Sequence, residues 1–256
     1  MIENEKFDVF IAYHGNQSVG SEYKARELYE YLKTKELYPG RKIKPYFHPA
    51  TNPYGRFEDT PLIVARTPLF VLVVNKNIKR TIDGQLIRHR EDGSLSNIFE
   101  EVRTFHDSPM YKRKDGEQAA KLFITDGFDF KEAEQLHPIF SGIIGFSAQD
   151  AVLDWITYFY RNTYLQMLYS HYKYLANDKK NDFIKGDWVA EANEIWQYTF
   201  DENIGRTLMI YYITRADCGS HEAVRQLQLM YKRYYGVAGL DKSTQNILQM
   251  IKDKYL

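Results

Sequence analysis

One cysteine, Cys218, is the entire thiol content of this 256-residue chain, so no internal disulfide can form. That scarcity fits a reducing compartment. Glycine (15) and proline (8) are too few for collagen-like or low-complexity chains. Charge of one sign is also lacking: Lys+Arg and Asp+Glu are equal at 34 each. Without a basic surplus there is no electrostatic footprint for a duplex nucleic-acid binder, and nucleic acid is not expected as a partner. Apolar runs such as Pro68 to Val74 fall far short of the ~20 residues that span a bilayer. No basic, apolar leader precedes Phe7. The expectation is a cytoplasmic protein with no membrane anchor. Familiar chemical signatures are missing too. There is no GxGxxG, no Walker A loop, no HExxH and no CxxC, and the seven histidines show no ligand spacing, so no metal site is expected.

What is present is an ordinary globular composition, 44% hydrophobic and 27% charged, with an unusual 21 tyrosines, many of them beyond residue 150. Asp8 to Tyr13 is a short β-prone run that ends in the turn signal His14-Gly15-Asn16. A helix should follow, with Ser21 as its N-cap and Ala25, Leu28, Tyr29 and Leu32 as its apolar stripe, stopped by Pro39-Gly40. Lys42 to Phe47 reads as a second strand, His48 to Asp59 as a long loop, and Pro61 to Arg66 as a short helix. Leu69 to Val74 is apolar throughout, as a parallel strand buried on both faces must be. Asn75 to Ser96 reads as a loop. Ile98, Val102 and Phe105 predict a helix over 96–106, Lys121 to Thr125 a fourth strand and Ile139 to Phe146 a fifth.

This alternation predicts an α/β fold of the flavodoxin-like kind: a doubly wound, five-stranded parallel sheet in the order 2-1-3-4-5, with ligands bound beyond the strand carboxyl ends. From about Ala148 the pattern is helical only. Ala151, Trp155, Phe159 and Leu165 begin one amphipathic run, His221 to Tyr235 is a second and Asp241 to Leu256 a third. Residues 165–256 therefore read as an all-α C-terminal appendage, its tyrosines forming an aromatic core or an interface. Residues after each strand converge on one edge: Tyr13-His14-Gly15, His48 through Phe57, Asn97 to Glu101, and Asp126-Gly127-Phe128.

Those residues resemble a family. Phe7-Asp-Val-Phe-Ile-Ala-Tyr13 is similar to the opening strand of TIR domains, the Toll/interleukin-1 receptor homology fold. Gly55-Arg-Phe-Glu-Asp-Thr-Pro-Leu-Ile63 resembles the segment from the BB loop into the second helix of TIR domains that hydrolyse NAD, and Phe70 to Val74 the third strand. Asn97-Ile-Phe-Glu-Glu-Val102 resembles the tryptophan-x-x-x-glutamate-hydrophobic motif whose glutamate is catalytic in NAD-cleaving members. Asp126-Gly-Phe-Asp-Phe130 is similar to the fourth-strand loop of the animal axon-degeneration NAD hydrolase. The resemblance implies a TIR domain over residues 1–160.

It also implies that Glu101 is the catalytic carboxylate. Glu100 is the competing register, but Glu101 is the one followed by an apolar residue, Val102. Tyr13, His14, Gly15, His48, Phe57, Asn97 and Asp126 are then the substrate-binding candidates. Each has a plainer alternative: a turn-stabilising role for His14, loop packing for Phe57, strand termination for Asp126 and a solvated helix face for Glu101. Asn97 stands where the motif has tryptophan, and His48 where the animal enzyme has aspartate.

One carboxylate is enough for the implied chemistry. Glycosidases need an acid for the leaving oxygen and a second carboxylate. The pyridinium of NAD+ instead leaves as neutral nicotinamide and needs no proton. An oxocarbenium-like ribose remains, which one nearby negative charge can stabilise. The products are nicotinamide and either ADP-ribose or a cyclic or substituted ADP-ribose signal, with NAD+ as substrate and no cofactor. Bacterial members serve in anti-phage immunity such as Thoeris systems, which implies self-association through the TIR domain and helical region and a downstream effector that senses the product. Two rival readings stay open: a non-catalytic TIR–TIR interaction scaffold, and a nucleoside deoxyribosyltransferase-like enzyme that ignores NAD.

Overall fold

The computed structural model describes residues 5–14, 19–51, 60–89, 91–108, 119–140, 145–164 and 182–256. The chain divides into two compact units, Met1–Leu37 with Arg41–Thr163, and Tyr38–Gly40 with Tyr164–Leu256.

The first unit opens with strand β1 (Val9–Tyr13) and helix α1 (Val19–Lys33). Strands β2 (Glu36–Tyr38) and β3 (Arg41–Lys42) pair in a small ribbon, and β4 (Pro45–Tyr46) follows. Then come a single helical turn α2 (His48–Thr51), α3 (Thr60–Arg66), β5 (Leu69–Val74), α4 (Asn97–Asp107) and β6 (Ala120–Ile124). A short α5 (Phe130–Ala133), a 3-10 turn at Pro138–Phe140, α6 (Gln149–Tyr158) and a π-helical turn at Phe159–Tyr164 complete it.

The central sheet has four parallel strands among the described residues, in the order β4-β1-β5-β6. This is the 2-1-3-4 part of the expected doubly wound order. Of the expected fifth strand, over 139–146, the described residues show one parallel bridge, Phe146 to Phe123, with Phe146 exchanging main-chain hydrogen bonds with β6. Ile139 and Phe140 lie in the 3-10 turn, and residues 141–144 lie outside the described residues. One further expectation changes, and another gains detail. Ser21 is not an N-cap, because α1 already begins at Val19. The segment 75–96 is a loop pinned by two antiparallel bridges, Arg80 to Leu86 and His89 to Leu95.

All six residues of β5 are buried, as a central strand covered on both faces requires. Register places Tyr13 beside Val73 and Val73 beside Phe123, so the three strands end level. On one face, Phe10 stacks on Tyr46 (5.1 Å) and on Phe70 (5.7 Å), and Phe70 on Phe105 of α4 (5.1 Å). That aromatic ladder fixes α4 against the sheet. At the opposite, amino end of β1, buried Asp8 receives two hydrogen bonds from the Arg41 guanidinium and one from the Lys44 amide, each 2.7 Å. The Tyr160 hydroxyl donates to the Asp8 main-chain oxygen at 3.1 Å. These contacts offset the cost of burying the charge.

The second unit contains helices α7 (Asp182–Thr199), α8 (Glu202–Asp217), α9 (His221–Tyr234) and α10 (Lys242–Tyr255). Its core includes Trp196, Leu208, Met209, Leu227, Met230, Tyr234 and Ile251. Gly205 lets α8 approach closely: a Cβ there would stand 1.9 Å from the Tyr234 hydroxyl.

Candidate active site

Helix α4 buries Ile98, Glu101, Val102 and Phe105. The i, i+3, i+4, i+7 spacing makes these one stripe facing the sheet, and one of the four is a carboxylic acid. Glu101 is 9% exposed, whereas Glu100 lies on the half-buried shoulder of the helix. The two registers the sequence leaves open are thus different environments. No hydrogen bond and no ion pair reaches the Glu101 carboxyl from the described residues. Burial, with a smaller contribution from the neighbouring Glu100 charge, pushes its pKa up to about 8.

Tyr13 ends β1, and its pKa is pushed up to about 12, first by burial, then by repulsion from Glu22 and Glu101, with Arg26 opposing. Tyr13 and Glu101 therefore share one electrostatic neighbourhood. The Tyr13 ring packs on Phe47 at 5.1 Å, and Arg26 lies over the Phe47 ring at 5.4 Å. His48, the next residue, opens α2 and is half-buried. His14 follows Tyr13 at the sheet edge. Burial, aided by the Lys79 charge, holds its imidazole below its ordinary pKa, so it is neutral at pH 7. The buried His14 Nδ1 has no hydrogen-bond partner.

Among the described residues of this unit, the buried hydroxyls of Ser21 in the first turn of α1 and Thr60 at the start of α3 also lack partners. Helix α3 packs against α4. Each such orphan costs on the order of 1–3 kcal/mol and calls for an explanation, which a polar ligand would supply. Sequence reasoning missed both. The signal available was a hydroxyl residue directly beside a segment already suspected of contacting substrate. It also missed Asn75, 1% exposed at the end of β5, whose Oδ1 accepts the Asn77 amide at 3.0 Å and shapes the turn there. A polar residue closing a six-residue apolar strand was its signal.

Asn97 is the first residue of α4, one turn before Glu101, and is half-buried. Gly15 and Phe57 lie outside the described residues. Asp126 goes elsewhere. With φ of +53° it sits in the left-handed turn after β6, on an open cleft of about 570 Å³ that also involves Lys24, Phe128, Phe130, Ser147 and Gln149. Neither Tyr13 nor Glu101 lines that cleft. Among the described residues, no cluster of three or more His, Cys, Asp or Glu side chains could hold a metal ion, and no helix is long and apolar enough to cross a membrane.

No protein-family model, curated protein or solved structure matches the chain. What the site can do rests on its own chemistry. It combines a buried carboxyl with free acceptor capacity, a neutral imidazole, aromatic surface and unpaired hydroxyls at the carboxyl edge of a parallel sheet.

Proposed function

We propose that the first unit is a TIR-type enzyme that cleaves the nicotinamide N-glycosidic bond of NAD+, with Glu101 as the catalytic carboxylate. The observation that carries the reading is the buried, unpaired Glu101 carboxyl beside the β1 edge, where Tyr13 and His14 also lie. A carboxyl left without hydrogen bonds in an apolar stripe is costly to the fold, and such groups concentrate at functional sites. In the proposed reaction the ribose hydroxyls hydrogen-bond to Glu101 and its negative charge stabilises the developing oxocarbenium ion. Nicotinamide leaves with the bonding pair and needs no proton. Water, or a nucleophile of the substrate itself, then captures C1′ to give ADP-ribose or a cyclic or substituted product. His14 and Thr60 are the candidates for holding the substrate's polar groups. A cytoplasmic role in bacterial anti-phage defence, with assembly through TIR and helical regions and an effector sensing the product, belongs to the same proposal.

A second reading, the non-catalytic TIR scaffold, is favoured by Asn97 standing where the motif carries tryptophan. Release of nicotinamide from NAD+ by the full chain, followed from dilute to concentrated protein, separates the two. Glu101→Ala is expected to reduce turnover by about 10³-fold, the scale of losing one preorganised electrostatic group. Glu100→Ala is expected to stay within a few-fold of wild type. Self-association with no release at any concentration would overturn catalysis in favour of the scaffold.

A further inference from the structure

Turn aspartates commonly spend their carboxylates on their own backbone, and two in the α/β unit do so. Asp92 accepts the Ser94 amide at 2.9 Å, and Asp129 the Lys131 amide at 2.9 Å. Asp126 does not. It sits in the left-handed region at φ +53°, before Gly127 at +72°, and its exposed carboxylate takes no hydrogen bond or ion pair from the described residues. The turn leaves this charge free. Asp126 lines the cleft of about 570 Å³ beyond the carboxyl end of β6, a volume within the roughly 300–1,000 Å³ of small-molecule sites. Helix α1, the turn after β6, helix α5 and the start of α6 all contribute to its lining, so it is concave on several sides.

Two observations set what the cleft prefers. Its charged lining is one cation, Lys24, against two carboxylates, Glu27 and Asp126, and Lys24 is already paired with Glu27 at 2.8 Å. One negative charge is left over. Neighbouring charges do not cancel it: Asp150 accepts the Tyr31 hydroxyl, Glu132 pairs with Arg80, and Lys131 does not line the cleft. The second observation is Phe130, which lines the cleft and is 47% exposed. Its ring is nonetheless closely backed, since a Cβ on Gly145 would stand 3.3 Å from it. An exposed aromatic surface beside an unpaired carboxylate suits a cation.

We infer that this cleft binds a small organic cation, an ammonium or guanidinium group carried on a flat apolar body, with the cation against Asp126 and the body against Phe130. A neutral ligand of the same shape leaves the Asp126 charge uncompensated, and an anionic one opposes it. The Ser147 hydroxyl and the Gln149 amide, which also line the cleft, can hold a polar group on that body. Glu101 does not line the cleft, so the inference does not rest on the NAD+ reading and its test involves no turnover.

Three probes of similar shape and different charge test it on the full chain at pH 7: tyramine, a cation; tyrosol, which is neutral; and 4-hydroxyphenylacetate, an anion. Affinities are read by saturation-transfer NMR titration. Tyramine should bind about tenfold tighter than tyrosol, and 4-hydroxyphenylacetate should not bind. Asp126→Asn, which keeps a residue tolerant of the left-handed turn, should weaken tyramine about tenfold, the scale of one charge-assisted pair. Phe130→Ala should weaken it about fivefold. Lys24→Gln should tighten it about twofold to threefold, because Glu27 is then freed to add its charge, and a gain of affinity cannot come from misfolding. Equal binding of the three probes, binding of none, or tyramine affinity unmoved by Asp126→Asn or by Phe130→Ala overturns the inference. Tyramine binding as described, with no nicotinamide released from NAD+, upholds it and tells against the NAD+ reading alone.

Discussion

The two units differ in how many of their polar groups are closed by their own side chains. In the helical unit the starts of α8, α9 and α10 are closed in this way. Asp201 accepts the Ile204 amide at 3.0 Å, Ser220 the Ala223 amide at 3.3 Å and Asp241 the Thr244 amide at 2.8 Å. The indole of Trp196 donates to the Tyr234 hydroxyl at 3.0 Å. In the α/β unit Asp129 caps α5, accepting the Lys131 amide at 2.9 Å, but α4 and α6 begin at Ser96 and Ala148 with no side-chain cap bond, and His14, Ser21 and Thr60 hold unpartnered buried atoms. Glu101 belongs to the same pattern. Among the described residues of the helical unit, Thr244 is the counterpart, a buried hydroxyl without a partner. Polar groups satisfied internally add stability; groups left open at a sheet edge keep their hydrogen-bonding capacity for a ligand.

The largest effect that would sharpen this contrast is the pH dependence that Glu101 imposes. Its folded pKa of about 8 lies above the ordinary 4.5, so between those values the folded chain holds a proton that the unfolded chain gives up. Stability conferred by the neutral acid is complete below about 4.5 and is lost as pH rises toward about 8. Glu101→Gln removes that slope. Its stability relative to wild type should grow between pH 5 and pH 8.5 by about 4 kcal/mol, an order-of-magnitude figure from the shift. Parallel pH profiles for the two proteins would show that the carboxyl is already ionised in the fold.

The effect next in size is in the helical unit. Gly205→Ala drives a methyl into the Tyr234 hydroxyl and to within 2.7 Å of the Trp196 indole nitrogen. It should destabilise that unit by about 3 kcal/mol, read by urea denaturation, while nicotinamide release by the α/β unit persists. Unaltered denaturation would mean that the close approach is not needed.

The smallest test compares caps directly. Asp201→Ala should cost about 1 kcal/mol, the worth of an N-cap bond, whereas Ser96→Ala should cost under about 0.5 kcal/mol. Equal costs would erase the distinction between closed and open helix starts.

Much of this was legible from local pattern. The uninterrupted apolar run of β5, the α4 stripe and the last two helices follow from periodicity, which neighbouring residues set among themselves. Glu101 is singled out by the resemblance of residues 97–102 to a family motif and not by periodicity, from which a solvated helix face is the plainer reading. That it is buried at i+3 beside Ile98, Val102 and Phe105 is a finding of the structure. Helices α7 and α8 were harder to delimit. Their apolar residues, such as Val189, Ile195 and Trp196, or Leu208, Ile210 and Ile213, are spread around the axis rather than along one side.

The sequence by itself determined where many of the chain segments are helical or extended, because periodicity depends on residues a few positions apart. That Glu101 is buried on the stripe of α4 was decided by the tertiary structure. Only the tertiary structure decided that Phe146 bridges to Phe123, and that Asp126 lines a cleft whose lining does not include Glu101. It alone decided that Asp8 is clamped by Arg41 and by Tyr160, 152 positions away. Such pairings turn on which distant groups meet in space and which are left without a partner, and no local periodicity encodes that.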